Sequence, residues 1–400
     1  MALGALRHRN FQLFVGGQFV SLVGTWMQTV ALGWVVLDLT NSPFQVGLVS
    51  TLGALPVLLF TLWGGVVADR RNKYRMVLFL QTGMLCEALA LAILTSTGHV
   101  TVHWIQGLAL IAGTFAAFEI PARQAFVVEM VGKEDLFTAV AINSTVFNGT
   151  RVLGPALAGL LLAAVGAAAC FYVNAASYLA VIVGLLLMRM PGGEPIGGSG
   201  GQGDLHALRE GVRYLFSRPL QRTLVLVTTS FSIFGFAFIP MLPVFARDVL
   251  HTGSAGYGAL MSAVGIGAAS GAIGAALWGH RVERERLVLP CAAAFAVLLV
   301  GAALAPTLTV AFILLALLGF AWVLMAVFTN TTLQMTSPDA LRGRVMGFYS
   351  FMVVGLAPFG SFQMGWVSEH FGVRAAYGAG GVACGIVAAA AFFLAPRMGR

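Results

Sequence analysis

Charge is what this sequence has least of. Only 38 of its 400 residues are charged, 23 Lys+Arg and 15 Asp+Glu. That 10% stands against about 25% in an ordinary soluble domain. So few charges cannot cover a water-facing surface of this size, which excludes a soluble globular protein. Lysine is scarcer still, with Lys73 and Lys133 alone. Asn72 precedes Lys73 and Glu134 follows Lys133, so neither belongs to a Gly-Lys-Ser/Thr phosphate loop, and a nucleotide-driven pump is excluded. The absence of an HExxH pair and of any large loop domain argues against an enzyme and against a metal or cofactor site. Cys86, Cys170, Cys291 and Cys384 fall inside apolar runs without disulfide or metal spacing and read as packing residues.

What is abundant is apolar sequence: 58% hydrophobic residues and a mean hydropathy of +0.89. A spanning helix needs about 20 apolar residues to cross a hydrocarbon layer of about 30 Å. Twelve runs of that length are predicted, near 11–37, 45–68, 76–97, 102–124, 137–165 and 168–190, then 221–246, 253–279, 286–305, 308–335, 342–367 and 372–395. The runs are continuous rather than alternating, so the expected class is an all-α membrane protein and not a β-barrel.

Basic residues orient the map. With both termini cytoplasmic, 20 of the 23 Lys+Arg residues fall on the cytoplasmic side, Arg247 and Arg374 fall outside, and Arg151 lies within a span. The net charge of +8 then serves insertion and contact with anionic membrane lipid, and nucleic acid is excluded as a partner. The basic Arg7-His8-Arg9 patch runs into a full-length apolar segment with no cleavage-type end, so the first span is expected to be retained.

The chain also compares with itself. An offset of 211 pairs Gly47 with Gly258, Arg70 with Arg281 and Arg75 with Arg286; an offset of 206 pairs Gly154 with Gly360, Gly159 with Gly365 and Gly166 with Gly372. Asp38 pairs with Asp248 at an offset of 210. The organisation predicted is two homologous six-helix bundles, 1–190 and 221–400, joined by a linker over 191–220. The linker begins Pro- and Gly-rich, and Asp204 through Ser217 has the pattern of an amphipathic helix at the membrane surface.

Gly65-Val66-Val67-Ala68-Asp69-Arg70-Arg71-Asn72-Lys73, between spans 2 and 3, resembles the signature loop of the major facilitator superfamily. Gly279-His280-Arg281 is a degenerate copy between spans 8 and 9. Glu119-Ile120-Pro121-Ala122-Arg123 and Phe147-Asn148-Gly149-Thr150-Arg151-Val152-Leu153-Gly154-Pro155 are similar to the bacterial drug- and siderophore-exporter branch. The resemblance implies the major facilitator fold, two pseudo-symmetric six-helix halves, and a gating role for Gly65, Asp69, Arg70, Lys73 and Arg123. Gly65 is expected to let helices approach closely, and Asp69 to accept hydrogen bonds from a helix N-terminus. Asn72, standing where the family has glycine, is a residue that tolerates a left-handed turn. Gly154, Pro155 and Gly159 resemble the antiporter motif of the fifth helix, and Gly267 and Gly271 have small-xxx-small spacing for helix packing.

Charges inside spans are costly and therefore point to function. Glu119 is the first candidate to carry a proton, competing with a structural pair to Arg123 one turn on. Glu87 is the second, competing with a helix-bridging role. Asp38 and Asp248, at the outer ends of spans 1 and 7, are gating candidates or solvated end charges. Arg151 shares a helix face with Ser144, Asn148 and Pro155 and requires an anion: Glu119, Glu87 or an acidic substrate. Gln18, Ser21, Thr25 and Gln28 form a stripe expected to line the pathway, with Asn330 and Gln334 as counterparts. Trp26, Trp34, Phe231, Phe234 and Phe238 are candidates for an aromatic wall.

The function expected is a secondary transporter, a proton-coupled exporter of drug-like or siderophore-like amphipathic small molecules, in the bacterial cytoplasmic membrane and as a monomer. A facilitator or importer on the same fold and a non-transporting sensor or scaffold are the alternatives.

Overall fold

The computed structural model describes residues 4–132, 134–188, 213–279 and 282–394. Most of the predicted linker, including Asp204, lies outside the described residues, as do His280 and Arg281 of the second loop. Residues 213–217 are helical, and Tyr214 Oη donates to Thr336 O at 2.7 Å.

Among the described residues, twelve helices are long and apolar enough to cross a membrane. The first six are α1 Arg9–Thr40, α2 Pro43–Arg70, α3 Lys73–Ser96, α4 Val102–Val131, α5 Leu136–Ala164 and α6 Ala167–Leu186. Then come α7 Pro219–Val249, α8 Ser254–Trp278, α9 Arg284–Ala303, α10 Leu308–Thr336, α11 Asp339–Phe371 and α12 Val373–Leu394. Several extend past their apolar runs, as α4 does by a further turn and more beyond 124, because the polar ends continue the backbone ladder. Two are interrupted. In α7, π-helical turns occupy Phe231–Gly235 and Phe245–Val249 around Pro240 and Pro243, and α11 has one over Phe351–Gly355 just before Pro358. A π-turn carries an extra residue within the α-ladder, and such turns concentrate at functional sites. Uniform apolarity hides them from a hydropathy reading.

The helices fall into two compact units, one with α1, α2 from Leu52 onward, and α3 to α6, the other with Ser42–Thr51 and the described residues from 213 onward. In the first, α1 packs on α5 and α6, and α3 on α4 and α6; in the second, α10 packs on α8 and α9, and α12 on α9 and α11. The first turns of α2 join the second unit because a Cβ on Gly47 would lie 2.9 Å from Gly365 Cα of α11. Beside that contact Glu369 Oε2 accepts from Ser42 Oγ at 2.8 Å and from Phe44 N at 3.1 Å.

The sequence repeat is reproduced in backbone detail. Thr101 and Thr307, 206 residues apart, both cap the helix they precede, accepting from Trp104 N and Val310 N at 3.4 Å. Gly166 and Gly372, also 206 apart, both take positive φ, 100° and 84°. Asn41 and His251, 210 apart, are the two non-glycine residues with positive φ among those described, both at 50°. A Cβ on Gly154 would lie 3.1 Å from Val23 O, and on Gly360 it would lie 2.7 Å from Ile233 O. The two halves therefore use related positions for related helix crossings.

Candidate functional site

The first unit holds a buried polar network where α1, α3 and α6 meet. Gly24 of α1 brings the helices together: a Cβ there would lie 2.7 Å from Asn174 Oδ1 and 2.9 Å from Ser177 Cβ. Small residues at a crossing allow this approach. Glu87 of α3 is buried at 6% exposure, and Gln28 Nε2 donates to its two carboxylate oxygens at 3.3 and 3.1 Å. Gln28 Oε1 in turn accepts from Asn174 Nδ2 at 2.6 Å, and Asn174 Oδ1 accepts from Ser177 Oγ at 3.2 Å. Thr25 Oγ1 and Tyr178 Oη lie 3.5 Å apart beside them. Among the described residues no cation contacts Glu87; its one side-chain donor is a neutral amide.

Glu119 of α4 is equally buried but differently held. Its Oε1 accepts from Gln81 Nε2 at 3.3 Å and lies 2.9 Å from Arg123 Nε, an ion pair whose N–H is not aligned for a hydrogen bond. The two spanning carboxylates thus differ in kind, one beside an amide, the other beside a guanidinium.

The signature loop is built around burial of its lysine. Lys73 opens α3, is 7% exposed, and places Nζ 2.7 Å from Glu129 Oε1 near the end of α4. Asn72, a residue that tolerates a left-handed turn, does not take one here. It has φ −65° and ψ 113° and caps α3, its Oδ1 accepting from Arg75 N at 3.0 Å. Asp69 and Arg70 are exposed, and among the described residues no donor contacts Asp69. Close packing falls on Gly64 and not on Gly65. A Cβ on Gly64 would lie 2.5 Å from Ala117 O of α4, whereas one on Gly65 would meet nothing within 4 Å.

Arg151 of α5 is half-buried and is placed by α1. Its Cζ lies 5.9 Å from the centroid of the Trp26 ring, and Phe147 packs against the same indole at 6.1 Å. Ser144 is exposed and Asn148 half-buried on the same side of α5, with Asn148 Nδ2 donating to Ser144 O at 2.8 Å. Pro155 and Gly159 are buried. Neither Glu87 nor Glu119 serves Arg151, since their donors are Gln28, Gln81 and Arg123.

The stripe on α1 divides. Gln18 and Ser21 are buried at 3% and 4%, so they do not line an open pathway; Thr25 is exposed and Gln28 half-buried. Asp38 is exposed, and Asp248 pairs with its neighbour Arg247 at 2.7 Å. On α10, Asn330 accepts from Gln334 Nε2. Phe231 and Phe238 are not wall residues: both are buried, against Phe295 and Tyr377. Trp34 and Phe234 are half-buried. Gly267 and Gly271 face the backbone of α10. Of the cysteines, Cys170 and Cys384 are buried as expected, while Cys86 is exposed. Sequence reasoning missed Gln81, Glu129, Asn174, Ser177 and Tyr178. Asn174, Ser177 and Tyr178 carried a readable signal, three polar side chains at i, i+3 and i+4 in an otherwise apolar span.

Comparison with known proteins agrees with this architecture. The chain is 26% identical over 364 residues to the multidrug efflux pump Tap of Mycolicibacterium fortuitum, covering 88% of each chain. It is 25% identical to the staphyloferrin A transporter of Staphylococcus aureus, covering 90% of each, and 28% identical to the enterobactin exporter EntS of Citrobacter koseri, covering 86% of this chain and 81% of that one. In structure it resembles a bacterial homologue of the lysosomal transporter Spinster in an inward-facing, unoccupied conformation, with TM-score 0.77, 15% identity and 97% of each chain covered. It also resembles the nucleoside transporter NupG, with TM-score 0.71, 14% identity and 96% and 98% covered. The sequence pattern of the family described as transmembrane secretion effector matches residues 1–399. Twelve spanning helices in two repeat-related halves, with the signature loop between α2 and α3, make this chain a member of that family and a transporter of the major facilitator superfamily.

Proposed function

We propose that the protein is a proton-coupled exporter of amphipathic small molecules in the bacterial cytoplasmic membrane, with both termini in the cytoplasm. The observation that carries the coupling is Glu87, a buried carboxylate inside a span whose one side-chain donor among the described residues is the amide of Gln28. An ionised carboxylate in a low-dielectric interior is costly without a paired cation, so a proton is an effective partner for it. Glu119 has Arg123 beside it and serves as the structural pair. Protonation of Glu87 removes charge from the acceptor of Gln28, whose other end is held by Asn174. The protonation state of α3 is thereby felt on α1 and α6.

A proton crossing a potential of 100 mV supplies about 2.3 kcal/mol, enough to bias a two-state transporter. Export as the direction is supported by the relatives named as an efflux pump and an enterobactin exporter. The test is proton movement in proteoliposomes, read with an interior pH dye while a panel of amphipathic dyes is supplied under an imposed pH gradient. Glu87→Gln is expected to abolish gradient-driven dye movement and to retain dye binding in detergent. Gradient-driven transport by Glu87→Gln at the wild-type rate would remove Glu87 as the carrier.

A further inference from the structure

Two π-turns of the second unit face each other. The turn Phe231–Gly235 of α7 lies against the turn Phe351–Gly355 of α11, and across the crossing Ser232 Oγ donates to Val353 O at 2.8 Å. Ser232 is buried, and three residues earlier Thr229 Oγ1 donates to Met352 Sδ at 3.2 Å. In a π-ladder each carbonyl accepts from the N–H five residues on. For Val353 that residue is Pro358, which has no N–H. A carbonyl inside the bilayer has no water to turn to instead. Ser232 supplies from α7 the hydrogen that Pro358 withholds.

The surfaces around this bridge are smooth. A Cβ on Gly360 of α11 would lie 2.7 Å from Ile233 O and 3.0 Å from Ser232 O, and one on Gly380 of α12 would lie 2.5 Å from Phe234 O. Three successive carbonyls of the α7 turn thus rest on glycine, with no side chain interlocked between the backbones. Helices bend at prolines and at π-turns, and α7 and α11 are both interrupted where they cross.

We propose that Ser232 is a positioning residue that joins the two π-turns into one hinge, so that the parts of α7 and α11 beyond it tilt together as the transporter changes conformation. Hinges are a few positions that absorb a large backbone change. Without the bridge each helix bends on its own. The inference goes beyond the export reading and requires neither the proton nor Glu87.

The test is hydrogen–deuterium exchange of the full-length protein in a non-ionic detergent, read by mass spectrometry over peptides covering 225–240 and 345–362. Peptides of α8 and α10 report global opening. Ser232→Ala is expected to speed exchange in both segments roughly tenfold, the scale of one buried hydrogen bond, with α8 and α10 unchanged. Ser232→Thr keeps the hydroxyl and should stay within about threefold of the wild type. Pro358→Ala gives α11 a donor of its own, so adding Ser232→Ala to it should raise exchange at 345–362 by no more than about threefold. If Ser232→Ala does not fold, Ser232→Cys, a weaker donor, takes its place. The tilt is read by the distance between spin labels at Leu304→Cys and Phe371→Cys, exposed at the far ends of α9 and α11, with the four native cysteines replaced by alanine. Ser232→Ala should broaden that distribution, and Ser232→Thr should leave it as it is.

Unchanged exchange of α11 in Ser232→Ala, an equal rise in α8 and α10, a threonine variant as fast as the alanine one, or an unaltered label distance overturns the proposal. So does a full tenfold rise when Ser232→Ala is added to Pro358→Ala.

Discussion

Replacing Gly267 by alanine tests how the second half is held together. A Cβ at that position would collide with the carbonyl oxygen of Ala316 and stand 2.7 Å from its carbon and 2.9 Å from Phe320 N. These are backbone atoms of α10, so no side-chain rotation relieves the clash, and α10 must move as a body. An ordinary carbon contact is about 3.5 Å or more, so the helices must part by about 1 Å. Gly271 and Gly319 lie on the same seam, 2.7 Å from Phe320 O and 3.1 Å from Ala268 N when given a Cβ, so contacts along its length thin together.

A gap of that size forfeits up to half of each pairwise attraction of about 0.1–0.2 kcal/mol, at most roughly 1.5–3 kcal/mol over on the order of 30 atom pairs. Strain from overpacking adds about 1–3 kcal/mol, and alanine's better helix preference returns about 1 kcal/mol. The net expected loss is roughly 1.5–5 kcal/mol. Gly107→Ala on α4 is the control, since a Cβ there meets nothing within 4 Å. The assay is the monodisperse fraction after a fixed heating time, read by size-exclusion chromatography in detergent, because unfolding of such proteins is commonly irreversible. Gly267→Ala should lose its peak several degrees below the wild type, and Gly107→Ala should match or exceed it, since alanine there gains helix preference without a clash. A Gly267→Ala midpoint at or above the wild type would refute the argument that backbone contact at this glycine sets the α8–α10 spacing.

Two further outcomes follow from the signature loop. Breaking a fully buried pair costs about 3–5 kcal/mol, and Lys73→Met is expected to cost roughly 1–3 because Glu129 keeps 24% of its side chain exposed. The double variant Lys73→Met with Glu129→Leu should recover most of that stability, and additive losses by the same heating assay would count against the pair. Asn72→Ala should cost about 1 kcal/mol and Asn72→Gly only a few tenths. Faster amide exchange at Arg75 in Asn72→Ala is the direct measure of the lost cap.

Helix positions were readable because each span is a continuous apolar run with its basic residues outside it. The Glu119–Arg123 pair was readable too, being one turn apart on one helix. Glu87 with Gln28, and Lys73 with Glu129, were not, since each joins two helices whose rotation a single sequence does not specify. The displacement of close packing from Gly65 to Gly64 has the same origin. The motif places a glycine in the loop region, but the helix face determines which glycine meets α4, and adjacent residues differ by about 100°. Burial of Phe231 and Phe238 was hidden by abundance, as 29 phenylalanines give no contrast between core, lipid and pathway.

At several repeat-related positions the two halves share backbone geometry but not side-chain chemistry, and this bears on the coupling proposed for Glu87. At the repeat offsets, Gln28 corresponds to Phe238, Glu87 to Leu298 and Asn174 to Gly380. The second half has no carboxylate or amide side chain at those positions: Phe238 is fully buried against Phe295 and Tyr377, whose Oη donates to Phe238 O at 2.8 Å, and Gly380 lets α12 approach Phe234 O of α7. Glu119 and Arg151 correspond likewise to Met325 and Ala357. A related crossing is thus built from aromatic residues, a glycine and one tyrosine hydroxyl in one half and from a carboxylate, two amides and a hydroxyl in the other. Apolar replacements of buried polar sets are often neutral or stabilising, so helix packing alone does not call for Glu87, Gln28 and Asn174. Their concentration in the first half is what the proposed proton coupling at Glu87 predicts, and the second half holds a glycine-packed, π-interrupted counterpart.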